Sequence, residues 1–295
     1  MSNPIVSVIV VSYNASRTIL ETLESIRLQT YSPLELIIAE DHSTDDTALK
    51  CEKWLAENSK RFISSKLIVN EKNLGVSANL NVGVRASSGE WIKVIGDDVL
   101  LPDAIERNVN FASVNNCNII VSMMQLFIEE TGEKLNTIPA KDYQFPESNH
   151  QQYIASLKDK ITIPSPTWFY KRDLYDCLGG YDERFRLSDD IPFAYKIFES
   201  GYHFSYMPEV TVLYRVVQTS LSNNRNQTGK QKQPYFESRS LVYHELQAPA
   251  LRKNRLYGTL VRNNLWYYFY KKKIYSRDNS ISRYLYGALC TIVKL

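Results

Sequence analysis

The first 116 residues alternate between two hydrophobic patterns. Pro4 to Val11, Leu34 to Ala39, Leu67 to Asn70 and Trp91 to Ile95 are short runs made mostly of apolar residues, which predicts strands covered on both faces. Between the first two runs, Ser16 to Thr30 places Ile19, Leu20, Leu23, Ile26 and Leu28 close to helical period. Asp45 to Asn58 and Val76 to Ala86 also read as helices, and Pro102 suits the first turn of another that runs to about Asn115. The resulting β-α-β-α-β-α-β-α order predicts an α/β fold with a mostly parallel central sheet and helices on both faces. After Asn118 the alternation weakens. Ile119 to Glu129 reads as a long strand ending in a Thr131-Gly132 turn, and residues 139–166 are polar and proline-bearing. Asp173 to Cys177 is expected as a short helix, Ile191 to Ser200 as a clear one, and Tyr202 to Arg215 as strand. The expected organisation is a main body of residues 1–219, with halves 1–116 and 117–219, then a linker over 220–251 and a tail over 252–295.

In an open parallel sheet, ligands sit at the carboxyl ends of the strands. The residues just after each predicted strand are Ser12-Tyr13-Asn14, Glu40-Asp41, Asn73 to Gly75, and Gly96-Asp97-Asp98. All four clusters hold carboxylates or amides, and the chain contains neither G-x-G-x-x-G nor G-x-x-x-x-G-K-[ST]. Dinucleotide binding and P-loop hydrolysis are therefore unsupported. Adjacent carboxylates at a sheet rim suit a hard divalent cation that shares the site with substrate phosphates. The competing reading of Asp97-Asp98 is a solvated turn before the Pro102 helix. Asp189-Asp190 precedes a predicted helix, where the dipole favours acids with or without a function. Trp168, Tyr170 and Tyr181 are equally readable as a sugar platform or as core. His42 and His203 have no partner at metal or triad spacing.

Four blocks in order carry a resemblance: SVIVVSYN (7–14) with EDHSTDDT (40–47), NLGVSANLNVG (73–83), GEWIKVIGDDVLLPD (89–103), and GGYDERF running into LSDDIPFAYKIFESGY (179–202). Together they resemble the inverting glycosyltransferases of family 2, which have the GT-A fold, over roughly residues 4–216. The resemblance extends to bacterial enzymes that build O-antigen or capsule. It implies a UDP-sugar donor, with Val11, Ser12, Tyr13, Asp41, Gly75 and Asp97 around the nucleotide. It implies Mn²⁺ or Mg²⁺ at Asp97 and Asp98 in either register, and Asp190 as the base that deprotonates the acceptor hydroxyl beside Asp189. Trp168 and Tyr181 are its candidates for acceptor contacts. No second catalytic acid is required, unlike a glycosidase pair, because the diphosphate leaves without a proton. The chain departs from the pattern at Ile95, Leu80 and Val217, where relatives often carry Asp, Arg and a metal-reaching His. A non-catalytic nucleotide- or sugar-binding relative is the alternative these departures favour. A sugar-phosphate nucleotidyltransferase would need a Gly-rich basic loop, and Ser12-Tyr13-Asn14-Ala15 is not one.

Charge sets the tail apart. Residues 252–295 carry ten Lys/Arg against the single acid Asp278, whereas the whole chain is only +3. Leu256, Tyr257, Leu260, Val261, Leu265 and Tyr268 fall on one helical face flanked by basic residues. Such a helix suits an anionic membrane surface, and with it a lipid-linked glycan acceptor. The other reading is a helix packed back on the body. No nucleic-acid motif accompanies the charge. The four cysteines are dispersed, with no C-x-x-C, and Leu285 to Val293 is about half of a ~20-residue membrane span. No secretion signal is evident at the start. The expected location is cytoplasmic, peripheral on the inner face of the cell membrane.

Overall fold

The computed structural model describes residues 3–216 and 229–275. Its first half is β1 (Val6–Ser12), α1 (Ile19–Arg27), β2 (Leu34–Glu40), α2 (Thr47–Asn58), β3 (Ser64–Val69), α3 (Val76–Arg85), β4 (Trp91–Ile95), β5 (Val99–Leu100) and α4 (Ala104–Asn115). The second half is β6 (Ile119–Ile128), β7 (Lys134–Ile138), α5 (Asn149–Leu157), β8 (Phe169–Lys171), α6 (Arg172–Cys177), α7 (Asp190–Glu199) and β9 (Ser205–Val216). It is followed by α8 (Gly229–Val242), a π turn at Tyr243–Gln247, α9 (Ala248–Lys253) and α10 (Tyr257–Tyr275).

One sheet runs in the order β3-β2-β1-β4-β8-β6-β9-β5, with β7 paired to β6. β3-β2-β1-β4 is parallel throughout, as the alternating pattern requires, and β6 is parallel to β9. The two halves join by antiparallel pairing of β8 with both β4 and β6. Side chains alternate across β1: Val6, Val8 and Val10 enter a core with Ile19, Leu23 and Ile26 of α1 and Trp54 of α2. Ile9 points the other way, to Leu80 and Val84 of α3, in the core that also holds α7. β1 therefore needs apolar residues on both faces, which is why it reads as a continuous run. α3 lies directly on β1, since a Cβ at Gly83 would fall 2.4 Å from Ile9 Cγ2. That contact fixes the loop leading into α3.

The stretch expected as a linker, 220–251, is helical over its described residues 229–251. Phe236, Tyr243 and Ala250, seven residues apart, are buried in the same core as Phe193 and Ile197 of α7. With Ala248 and Leu251 beside them, these apolar anchors dock the helices, while the polar sequence before Val242 is what reads as a linker. α10 continues the packing: Leu260 and Tyr267 are buried, and the Tyr267 ring stacks on Tyr243 at 4.3 Å between centroids. The single apolar face expected on this helix is thus divided, with Leu260 inward and Tyr257, Val261 and Tyr268 exposed. Among the described residues no helix is long and apolar enough to cross a membrane. Val217, residues 220–228 and the run Leu285 to Val293 lie outside the described residues.

Candidate functional site

A cavity of about 590 Å³ opens at the carboxyl ends of β1, β2 and β4, and Val11, Ser12, Tyr13, Asp41, Gly75 and Asp97 all line it. These are the six positions expected around a nucleotide, and four separate loops bring them together. Tyr13 is 50% exposed, so one side of its ring is available to a ligand. Ser12 Oγ is buried without a hydrogen-bond partner. The Asp41 carboxylate is buried and holds the loop before α3. Oδ1 accepts from Asn70 Nδ2 at 2.9 Å and from the Leu74 N–H at 2.8 Å, and Oδ2 accepts from the Gly75 N–H at 2.9 Å. Oδ2, with one such bond against two at Oδ1, has the more spare acceptor capacity. Gly75 sits at φ +90°, and a Cβ there would lie 2.9 Å from the Arg186 carbonyl oxygen, so both backbone angle and space demand glycine. The Arg186 carbonyl in turn accepts from the Val76 N–H at 2.9 Å and caps α3. The 182–190 segment is thereby tied to the cavity's edge.

Asp97 and Asp98 do not form a pair of cavity ligands. Asp97 is exposed and lines the cavity. Asp98 is 4% exposed, points inward, and its Oδ1 accepts from the Arg215 N–H at 2.8 Å. Burial, and then the neighbouring Asp97 charge, push its carboxyl up to about 7. Asp98, expected as a metal ligand, is held here as a backbone anchor: at a bend after β4, consecutive side chains diverge to opposite sides. Among the described residues no three His, Cys, Asp or Glu side chains gather into a metal cluster. The carboxylates lining the cavity are Asp41, Asp97 and Glu129. This sparse oxygen set fits Mg²⁺ or Mn²⁺ held jointly with substrate phosphates, not an all-protein cage.

A second, smaller cavity of about 180 Å³ is lined by Asp159, Trp168, Asp190, Ile191 and Gln247, among others. Leu187 lines the larger cavity and Asp190 the smaller one, with only Ser188 and Asp189 between them in the chain. Asp190 Oδ1 accepts from the Ile191 N–H at 2.8 Å at the start of α7. Asp189 precedes it without a capping bond, and burial together with the Asp190 charge pushes its carboxyl up to about 7. Trp168 borders this cavity although it is 2% exposed. Tyr181 does not: it is buried, stacks on Phe193 at 4.4 Å and shares a hydrogen bond with the Tyr170 hydroxyl at 3.1 Å. Tyr181, expected as an acceptor contact, packs in the core here, its ring enclosed between α7 and β8.

Three residues that support the site escape sequence reading. Arg215 of β9 is 3% exposed in its side chain; Nε donates to the Asp97 carbonyl at 2.9 Å and Nη2 to Glu21 at 2.5 Å, with Phe127 beneath the guanidinium. Lys93 of β4 is fully buried, lowered to about 7 by burial, and donates to the Pro166 carbonyl, which steadies the loop carrying Trp168. A lone charge inside an otherwise strand-like run is the signal both share. Gln247 sits in the π turn, an element that recurs at functional sites.

Residues 7–179 match the sequence profile of glycosyl transferase family 2. An uncharacterized glycosyltransferase of Methanocaldococcus jannaschii is 29% identical over 218 residues, 73% of this chain and 72% of its own. The Bacillus subtilis protein EpsE is 30% identical over 223 residues, 74% of this chain and 75% of its own. Staphylococcus aureus TarS 1–349, solved with UDP-GlcNAc, shares the fold with a TM-score of 0.64 at 18% identity, covering 93% of this chain and 74% of that one. With the profile spanning more than half of its length and the strand-end carboxylates gathered on one cavity, the chain belongs to glycosyl transferase family 2.

Proposed function

We propose that this glycosyltransferase moves a sugar from a UDP-sugar to an acceptor hydroxyl with inversion at the anomeric carbon. The observation that carries the reading is the placement of Leu187 and Asp190, three residues apart, on the walls of a large and a small cavity. A donor in the large cavity stacks its base on Tyr13, and the free lone pair of Asp41 Oδ2 accepts the ring N–H. The backbone at Val11 and Ser12 frames the base, and Gly75 lets the loop approach the ribose. Asp97 faces the diphosphate. Mg²⁺ or Mn²⁺, when bound there, would offset the charge of the departing diphosphate. The acceptor occupies the small cavity against Trp168, where Asp190 takes its hydroxyl proton. The acceptor oxygen bonds to the anomeric carbon as the bond to the diphosphate oxygen breaks on the opposite face. The electron pair leaves with the diphosphate, which needs no proton.

Calorimetry with UDP, GDP, CDP and dTDP, with and without Mn²⁺, tests the donor half. UDP should bind most tightly, and Mn²⁺ should strengthen it. Asp97→Asn should abolish the Mn²⁺ effect, while Asp98→Asn should retain it. Equal binding of all four nucleotides, or a Mn²⁺ effect that survives Asp97→Asn, removes this assignment.

The acceptor is proposed to be a lipid-linked glycan of a surface polysaccharide, met at the inner face of the cell membrane. Exposed Tyr257 and Val261, one turn apart on α10 and close to Arg252, Lys253 and Arg255, support a surface-lying helix. Tyr257→Asp with Val261→Asp should reduce partition onto anionic vesicles by about tenfold, with little effect on neutral ones. Sedimentation with vesicles measures this, and unchanged partition would leave α10 a packing element only.

A further inference from the structure

The large cavity is acidic for a site that receives a diphosphate: Asp41, Asp97 and Glu129 line it, and among the described lining residues Arg17 is the one positive side chain. α3 contributes Val76 and Asn79 to the lining but no cation, and its Leu80 is packed in the core. Arg17 lies in the loop between β1 and α1, with its side chain 71% exposed, and Nη2 meets Glu129 Oε1 at 2.8 Å. Glu129, at the end of β6, is 14% exposed in its side chain and has a second cation behind it, Arg215 Nη1 at 3.9 Å from the same oxygen. Its Oε2 is buried with no partner.

Resting on the nucleoside-diphosphate reading above, we infer that Arg17 is the diphosphate-binding cation of this chain, held beside the cavity by Glu129 until the donor arrives. The physical case is an exchange of partners. Arg17 is itself largely exposed and Glu129 has a second cation in Arg215, so breaking the Arg17–Glu129 pair costs little. When Arg17 leaves, Glu129 still faces Arg215 and is not stranded. The guanidinium gains a planar fork of donors against diphosphate oxygens, a stronger and better-shaped partner than one carboxylate oxygen. The loop that carries it also supplies Tyr13, so base stacking and charge recognition are delivered by the same segment.

The experiment compares the nucleoside diphosphate that binds best in the screen above with its matching nucleoside, without metal, by calorimetry. Wild type should prefer the diphosphate. Arg17→Ala should weaken the diphosphate by about 10- to 100-fold, as expected for loss of a charge-assisted bond, and leave the nucleoside within about twofold. Arg17→Lys should fall between them, since the point charge remains and the fork is lost. Glu129→Gln, which releases Arg17 and removes a negative charge, should tighten the diphosphate severalfold. Unchanged selectivity in Arg17→Ala, or weakened diphosphate binding in Glu129→Gln, would overturn the inference while leaving the donor reading intact. Wild-type protein that binds no nucleoside diphosphate would overturn both.

Discussion

Asp190→Asn is expected to lower kcat for transfer by about 10²- to 10⁴-fold, the range spanned by loss of a positioned general base. The donor diphosphate should still bind within about twofold of wild type, because Asp190 borders the small cavity and touches none of the nucleotide positions. Asparagine keeps the shape and can still cap α7 through its side-chain oxygen, so the fold has no reason to fail. The neighbour Asp189 complicates the residual activity. Desolvation, and then the Asp190 charge beside it, push its carboxyl up to about 7. Removing that charge lowers the Asp189 pKa and frees a carboxylate one residue away, so the double variant with Asp189→Asn should fall below the single one. The same logic has a sign for stability. A carboxyl whose folded pKa is raised contributes stability below its unfolded pKa and loses it as pH rises through the folded value. Wild type should therefore lose stability between about pH 4 and pH 7, and Asp190→Asn should lose less over that window. Thermal melts across the range, with single-turnover rates, check both statements. Transfer at the wild-type rate in Asp190→Asn would remove it from the base role.

The donor side was more legible in the chain than the acceptor side, for a physical reason. Strands buried on both faces appear as unbroken apolar runs, and the residues following them must gather at one rim, so Tyr13, Asp41, Gly75 and Asp97 could be located from order alone. The rest of the sheet includes pieces too short to have a period. β5 has two residues and β8 three, and their partners lie far along the chain. α5 is an exception that could have been read: Ser148 and Gln151 form a capping box, a signature visible in S-N-H-Q. What no local pattern reveals is side-chain direction at a bend. Asp97 and Asp98 are neighbours with identical chemistry, and only the contact of Asp98 with the Arg215 backbone separates them. Tyr181 is a similar case, an aromatic whose place in the core depends on Phe193 and Tyr170.

Arg215→Met is expected to be the most destabilising change near the site, by about 3–5 kcal/mol, the cost of breaking a buried ion pair from one side. Methionine retains the apolar stem against Phe127 but removes every donor. Glu21, 58% exposed in its side chain, can turn to water. Glu129, at 14%, cannot do so fully, and keeps only Arg17. The Asp97 carbonyl loses its Nε donor, so the bend that aims the Asp97 carboxylate into the cavity loosens, while Asp98 keeps its bond to the residue's backbone N–H. Two readouts should therefore move together. The melting temperature should fall by roughly 6–20 °C, at ~2–4 °C per kcal/mol for a chain of this size. Metal-dependent nucleotide binding should weaken as well, since Asp97 is less well positioned. Adding Glu129→Gln removes the carboxylate left buried, so the double variant should regain part of the lost stability but none of the lost metal effect, because Asp97 stays unsupported. A melting temperature within a degree of wild type in Arg215→Met, or recovery of both readouts in the double variant, would show that Arg215 does not hold the bend.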